Sequence, residues 1–389
     1  MQSETDTFVV AFAGGGTGGH LYPALAVADA LRRRCGSVRC IFFGTGRSVD
    51  AHVLGDADVV RQNLKPLSPL PWRWPGVYAS IRRAIGVSTR RFETDPPSIV
   101  IGTGGMASVP AVLAARRLGI ATAILNPDAI PGRANRYLAG RVDAVFCQWE
   151  ESAKYLPRRV APHACGCPVR PQFLRATRDD GIARFNLDRN RLTLLITGAS
   201  QGARTINEAV LASAGFLKGI PEWQILHLTG DQEFDRVSTA YQACGLAATV
   251  VAYTDHMGDA LAASDLVVSR AGASTLAELT AVGRPSILMP YPYHRDQHQM
   301  ANARCLERAS AAQIVPDRKD AKHNGPALVR ALQPLMTHDS EREAMAVAAR
   351  ALGRSNAAMA IAERILRLAG RGGCAVPRES LETVTERTR

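Results

Sequence analysis

Glycines recur in this chain where short apolar runs end, in a pattern suited to holding an anion. Residues 8–13 lead into Gly14-Gly15-Gly16-Thr17-Gly18-Gly19-His20, and residues 99–101 into Gly102-Thr103-Gly104-Gly105. Further on, residues 192–197 lead into Gly198-Ala199-Ser200-Gln201-Gly202-Ala203-Arg204, and residues 266–269 into Arg270-Ala271-Gly272-Ala273-Ser274-Thr275. A strand that breaks into a glycine turn and then a helix start leaves backbone N–H groups and a positive dipole end where a phosphate can sit. Two such turns in each half predict a phosphorylated ligand held by two α/β domains. The first turn is too glycine-rich for a simple tight turn, which favours close backbone approach to a ligand. It is not a P-loop, because no Gly-Lys-Ser/Thr follows. It is a poor dinucleotide fingerprint, because Phe43-Gly44-Thr45-Gly46-Arg47 offers no acid after the second strand.

The elements that carry these turns alternate. Strands are expected over 8–13, 38–43, 98–101, 121–125 and 144–147, then over 192–197, 224–228, 249–251, 266–268, 286–289 and 313–315. Helices are expected over 23–33, with Pro23 at a first helical position, and over 77–92, 109–118, 205–217, 231–244, 257–263, 275–282 and 299–307. That alternation implies parallel sheets with right-handed crossovers. The two prolines of Gly166-Cys167-Pro168-Val169-Arg170-Pro171 mark the break between two series. Residues 1–166 then form one domain and 167–369 a second, whose last helix around 359–368 could cross back onto the first. Residues 370–389 are too polar to bury and read as a disordered tail.

Composition fits a globular protein of 389 residues, 46% hydrophobic and 21% charged, long enough for two cores. No apolar run approaches the roughly 18 residues of a membrane span. The polar, acidic start is not read as a secretory signal. The eight cysteines lack a Cys-x-x-Cys pair and read as reduced thiols, and no metal site or cofactor is expected. With 47 Lys plus Arg against 35 Asp plus Glu, the formal charge of +12 favours an anionic partner. Nucleic acid is disfavoured by the lack of a binding module. Trp72, Trp74 and Tyr78 beside Arg82, Arg83, Arg90 and Arg91 read either as an edge that dips into an anionic membrane surface or as an amphipathic helix covering a sheet.

The ordered set of motifs resembles the MurG family of N-acetylglucosaminyltransferases, which convert lipid I to lipid II in peptidoglycan synthesis. The resemblance rests on Gly14 to His20 with Pro23-Ala24-Leu25-Ala26, on Gly198 to Arg204 with Asn207, and on Arg270 to Glu278. Cys167-Pro168-Val169-Arg170 is similar to the family's Asn-Pro-Val-Arg, and Asp296-Gln297-His298-Gln299 with Asn302 to its Asp-x-Gln-Gln segment. It covers roughly residues 8–368. It implies a GT-B fold, two Rossmann-like domains with parallel sheets facing a central cleft. It implies UDP-N-acetylglucosamine as donor, a lipid-linked muramyl acceptor, and a peripheral position on the cytoplasmic face of the cell membrane.

Carried over by position, the resemblance places Thr17, Gly18 and Gly19 between donor and acceptor. Arg170 and Ser200 fall on the donor diphosphate, and Ala273, Ser274, Thr275, Leu276, Ala277 and Glu278 on nucleotide and ribose. Gln299 falls on the sugar hydroxyls. A guanidinium and a helix-start hydroxyl suit phosphate oxygens on their own account. Thr275-Leu276-Ala277-Glu278 also reads as a capping box. His298, in place of the family's first glutamine, reads as exposed or as a sugar contact. The acceptor side departs from the family: Leu125-Asn126-Pro127-Asp128 replaces His-Glu-Gln-Asn, and Met106 replaces a tyrosine. Asp128 stands at a substrate-binding position. His20 and Asp128 are left as the groups able to take the acceptor proton, with imidazole the better matched to neutral pH. A UDP-sugar epimerase-like enzyme, a transferase with another acceptor and a non-catalytic donor-binding partner are the alternatives.

Overall fold

The computed structural model describes residues 7–66, 70–198, 202–293 and 296–370. The chain divides into two compact units, one made of Met1–Pro168 with Asn356–Arg389 and the other of Val169–Ser355. In the first unit the elements run β1 (Phe8–Ala13), α1 (Gly18–Cys35), β2 (Val38–Gly44), α2 (Ser48–Leu54), β3 (Asp58–Arg61), α3 (Trp74–Thr94), β4 (Ile99–Gly102), α4 (Ser108–Arg117), β5 (Ala121–Asn126), α5 (Arg133–Ala139), β6 (Ala144–Cys147) and β7 (His163–Ala164). The second unit contains α6 (Pro171–Arg175), α7 (Arg178–Phe185), β8 (Leu192–Thr197), α8 (Arg204–Ala212), α9 (Ala214–Lys218), β9 (Trp223–Leu228), α10 (Phe234–Cys244), β10 (Ala248–Val251), α11 (Met257–Ala263), β11 (Leu266–Ser269), α12 (Ala273–Val282), β12 (Ser286–Leu288), α13 (His298–Arg308), β13 (Ala312–Ile314), α14 (Ala321–Thr337) and α15 (Asp339–Leu352). A final helix, α16 (Ala357–Leu368), belongs to the first unit.

Each unit is a Rossmann-like sheet of parallel strands, in the order β3-β2-β1-β4-β5-β6-β7 and β10-β9-β8-β11-β12-β13. Both faces of the first sheet are apolar because both are covered. Phe8, Val10, Phe12, Ile99 and Ile101 point to one side, where Val27 and Leu31 of α1 meet Ile361, Ile365 and Leu366 of α16. Ala11, Ala13, Ile41, Phe43 and Val100 point to the other, against Ile85 and Phe92 of α3, Val112 of α4 and Leu138 of α5. In the second unit Leu194, Ile196, Ile225 and Val268 pack on Ile206, Val210, Leu328 and Leu332 from α8 and α14.

In the first sheet the strand order reverses between β1 and β4, and in the second between β8 and β11. Adjacent strands whose crossovers leave in opposite directions open a crevice at their carboxyl ends, the preferred ligand position in such sheets. The described residues of all four glycine segments lie at these two points.

Several element boundaries differ from the sequence expectation. Helix α1 starts at Gly18, directly after extended Thr17, so Pro23 lies inside the helix and removes the N–H that would bond the Gly19 carbonyl. The helix expected over 205–217 breaks at Ser213, whose hydroxyl bonds back to the Ala209 carbonyl at 2.8 Å. Helix α3 covers the sheet as an amphipathic helix does, with Val77, Ala84, Ile85 and Phe92 buried, whereas Trp72 just before it and Trp74 and Tyr78 in its first turns are 73%, 58% and 62% exposed. Arg91 is turned away from that patch and pairs with Asp58 and Asp95, each at 2.7 Å. No helix among the described residues is long and apolar enough to cross a membrane.

Because Ile361 is wholly buried in the first unit, Ile361→Ala should destabilise that unit by about 2–5 kcal/mol. Denaturant melts of the two proteins check this, and a difference under about 0.5 kcal/mol would show that α16 is not docked there.

Candidate active site

At the β1–β4 point, Thr17 is the extended residue before α1, and His20 is the third residue of that helix. His20 Nδ1 lies 3.2 Å from the Gly15 carbonyl and 3.3 Å from Thr17 Oγ1. Its ring rests on the second glycine turn, where a Cβ on Gly104 would come within 2.8 Å of Cδ2 and where φ is +116°. Only glycine fits that position. Thr17 and Gly19 are exposed and Gly18 is half-buried. The first turn is not the open anion site expected of it. Asp50 of α2 fills it, accepting the Gly16 N–H at 2.7 Å, the Thr45 N–H at 2.7 Å, the Thr45 hydroxyl at 2.8 Å and the Gly46 N–H at 3.1 Å.

Asp128 follows β5, with one strand, β4, between it and β1, so the supporting strand axes are roughly 10 Å apart. Its backbone carbonyl is fixed by Asn126 Nδ2 at 2.8 Å and Ser152 Oγ at 3.1 Å. Asn126 is itself held by Asn135 at 3.1 Å and is buried. The residue standing in place of the family glutamate is therefore a structural amide beneath the turn. An Asp-x-Asp triplet occurs at Asp56-Ala57-Asp58, but Asp58 is paired with Arg91 and, at 3.7 Å, with Arg39.

The second unit's site forms around α12. Gly272 is the extended residue before the helix and no side chain caps it, so the first-turn N–H groups of Ala273, Ser274 and Thr275 carry the unopposed end of the dipole. Thr275 is thus inside the first turn and Glu278 one turn further on. The capping-box reading and the helix start near Thr275 are both displaced, because Gly272 already takes the cap position. Ser274 Oγ is buried with no hydrogen-bond partner among the described residues. Leu276 is wholly buried in the core, so only its backbone can face a ligand. Ala273 and Ala277 are also buried.

Arg170 precedes α6, with its guanidinium 5.1 Å from the centre of the Phe173 ring and Nη2 3.9 Å from Glu278 Oε1. The Glu278 side chain is 15% exposed, and burial pushes its carboxyl up to about 7 against the opposing pull of Arg170. Gln299 Oε1 accepts from the Ala271 N–H at 3.3 Å and the Tyr291 N–H at 2.9 Å, which fixes its amide orientation and leaves Nε2 to donate. His298 is bonded through Nδ1 to Asp296 at 2.8 Å, with its side chain 23% exposed. Ser200 lies outside the described residues.

The sequence reading missed the group that ties this site together. Arg270 is buried and pairs with Asp317 at 2.8 Å, donating also to the Met289 carbonyl at 2.9 Å and to Thr205 Oγ1 at 2.7 Å. Burial alone would raise the Asp317 carboxyl, but bonds from Thr205, Arg270, the Lys319 N–H and Asn324 hold it below the usual carboxylate range. The arginine was visible as part of a motif. Its partner, 47 residues later in a loop, carried no signal.

Residues 10–147 match the Glycosyltransferase family 28 N-terminal domain, and residues 193–365 the Glycosyltransferase family 28 C-terminal domain. With two Rossmann-like sheets, these matches define the class: a hexosyltransferase of the GT-B fold. A Desulforamulus reducens protein named UDP-N-acetylglucosamine--N-acetylmuramyl-(pentapeptide) pyrophosphoryl-undecaprenol N-acetylglucosamine transferase is 37% identical over 88% of this chain and 94% of its own. The Sorangium cellulosum protein of that name is 38% identical over 92% of this chain and 88% of its own. The crystal structure of Acinetobacter baumannii MurG matches with a TM-score of 0.73 at 25% identity, over 93% of this chain and 99% of that one. At such identity over nearly the whole length, the chain belongs to the MurG family. The UDP-GlcNAc 2-epimerase from Neisseria meningitidis shares the fold, with a TM-score of 0.63 at 16% identity over 93% of this chain and 100% of that one.

The raised Glu278 carboxyl has a signed consequence for stability. Its folded value, about 7, exceeds an ordinary glutamate's of about 4.3, so its contribution is fully present below about pH 4 and is lost as pH rises through 7. Glu278→Gln removes that titration. The variant should gain stability relative to wild type by about 2–3 kcal/mol between pH 4.5 and 8, read from urea melts across that range. A pH-independent difference would contradict the burial of this carboxyl.

Proposed function

We propose that the protein transfers N-acetylglucosamine, with inversion, from UDP-N-acetylglucosamine to the muramyl 4-hydroxyl of undecaprenyl-diphospho-muramoylpentapeptide. The observation that carries this reading is the nearly full-length identity to transferases named for that donor and acceptor. The donor's diphosphate lies at the uncapped start of α12 and on Arg170, and the family resemblance assigns Ser200, outside the described residues, to the same group. Glu278 accepts the ribose hydroxyls. Gln299 Nε2 and His298 meet the sugar. Thr17, Gly18, Gly19 and Asp128 line the acceptor side on the first unit.

In the reaction the acceptor oxygen bonds to the anomeric carbon as the bond from that carbon to the β-phosphate oxygen breaks, and the electron pair leaves with UDP. The hydroxyl proton passes to Nε2 of His20, which has no hydrogen-bond partner among the described residues. Charge growing on UDP is met by the helix dipole and by Arg170, a fixed arrangement that requires no divalent ion.

Transfer of labelled sugar from UDP-N-acetylglucosamine to purified lipid-linked acceptor tests the reading directly. Activity should survive a chelator, and Arg170→Ala should lower donor use by roughly 1.5–3 kcal/mol. Consumption of the donor without any acceptor would instead indicate epimerase-like chemistry. His20→Ala should lose at least a hundredfold in kcat, within the range supplied by a general base, while Asp128→Asn loses less. The reverse order moves the base to Asp128.

The exposed Trp72, Trp74 and Tyr78, with Arg82 5.8 Å from the Tyr78 ring centre, form an amphipathic edge for the anionic cytoplasmic leaflet. Replacing both tryptophans with serine should lower partition onto phosphatidylglycerol-containing vesicles by about tenfold. Unchanged co-sedimentation would remove this surface from the account.

A further inference from the structure

The acid that fills the first glycine turn is also linked to the proposed base. The Gly16 N–H and the Gly15 carbonyl belong to one planar amide. Its N–H end donates to Asp50 Oδ1 at 2.7 Å, and its carbonyl end lies 3.2 Å from His20 Nδ1. Resting on the reading of His20 as base, we propose that Asp50 is a positioning residue for His20, acting through the Gly15–Gly16 peptide group.

A carbonyl oxygen can only accept, so the contact at Gly15 makes Nδ1 the donor. In the neutral ring the lone pair is then on Nε2, the nitrogen able to take a proton. Thr17 Oγ1, 3.3 Å from the same Nδ1, can accept alongside the carbonyl. A carboxylate at the N–H end draws the amide's polarisation toward itself and strengthens the carbonyl as an acceptor, by roughly 10–30% per linked bond. The arrangement does what a carboxylate bonded directly to imidazole does, with one peptide group inserted.

The site is built for an ionised acid. Asp50 is 2% exposed, and the groups bonded to it are three backbone N–H groups and the Thr45 hydroxyl, all of which donate to the carboxylate. An amide or a protonated acid would bring a hydrogen against one of them. A Cβ on Gly15, where φ is +147°, would stand 2.9 Å from Asp50 Oδ2, so the turn closes on the carboxylate only with glycine there. On the opposite side, the Cδ2–Nε2 edge of the ring lies over Gly104. Nδ1 is thus committed to the first turn while Nε2 faces the second.

The test reads the tautomer of His20 by 15N NMR in the full chain without substrate, at about pH 9, where imidazole is neutral. The signal is assigned by its loss in His20→Gln. The expected result is a ring protonated on Nδ1 in the wild type and a shift toward the tautomer mixture of unconstrained imidazole in Asp50→Asn. In transfer assays Asp50→Asn should lower kcat by about ten- to a hundredfold, with the KM for UDP-N-acetylglucosamine and the Kd for UDP within about twofold of wild type. A wild-type ring protonated on Nε2 overturns the proposal even if the variant does not fold. So does a folded Asp50→Asn with wild-type kcat, or one whose kcat falls while the tautomer stays unchanged. If the wild type transfers no sugar, the reading of function fails, and the tautomer measurement still decides the link between Asp50 and His20.

Discussion

The ion pair of Arg270 and Asp317 is the constraint on which the second unit's site depends. Its side chains are 7% and 0% exposed, so each charge has given up water and must recover it from the protein. Thr205 and Asn324 complete the shell, and the Met289 carbonyl takes a further guanidinium hydrogen. These atoms come from the end of β11, the start of α8, the exit of β12, the loop after β13 and the first turn of α14. Removing one partner would leave the other charge stranded, at a cost of several kcal/mol. The loops around α12 are therefore locked by electrostatics, and the helix can present bare N–H groups without the turn collapsing onto them.

The two units meet the same backbone problem in opposite ways. Both place a glycine turn at the point where strand order reverses, and both leave amide hydrogens pointing outward there. In the first unit the chain supplies its own anion, Asp50, so the turn is rigid before any ligand arrives. In the second, Gly272 offers no side chain, and the helix's own acid, Glu278, sits beyond its first turn, beside Arg170. An anion from outside suits the second unit, whereas the first has its polar capacity left on His20. The proposed division between holding a nucleotide and handling a proton rests on that asymmetry.

Much of the architecture was legible because parallel strands buried on both faces read as uninterrupted apolar runs, as in Phe8–Ala13 and Leu192–Thr197. The edge strand β3 was not, since Asp58 and Arg61 at its ends face solvent. Helices α14 and α15 were hidden too; α14 contains Pro326 and Pro334, which punctuate its pattern without breaking it. At the sites, the glycine turns were readable from type and spacing, whereas Arg170 was singled out by the family resemblance. Asp50 was not, because a lone acid in the first turn of a short helix carries no sign that three amides will converge on it. Nor was the raised carboxyl of Glu278, since burial is a property of the packed helix and not of its sequence.

The return of α16 to the first unit makes Val169–Ser355 an insertion within a discontinuous partner. A nascent chain emerges from its N-terminus, so strands β1 to β7 are complete while one face of their sheet still lacks Ile361, Ile365 and Leu366. That face stays only partly covered, by α1, through the synthesis of the whole second unit, at roughly 5–20 residues per second for about ten seconds or more. The inserted unit has all its strands in one continuous stretch and can close its core first. Vectorial synthesis thus orders assembly: the half with uninterrupted sequence matures early, and the half that begins the chain is the last to be finished.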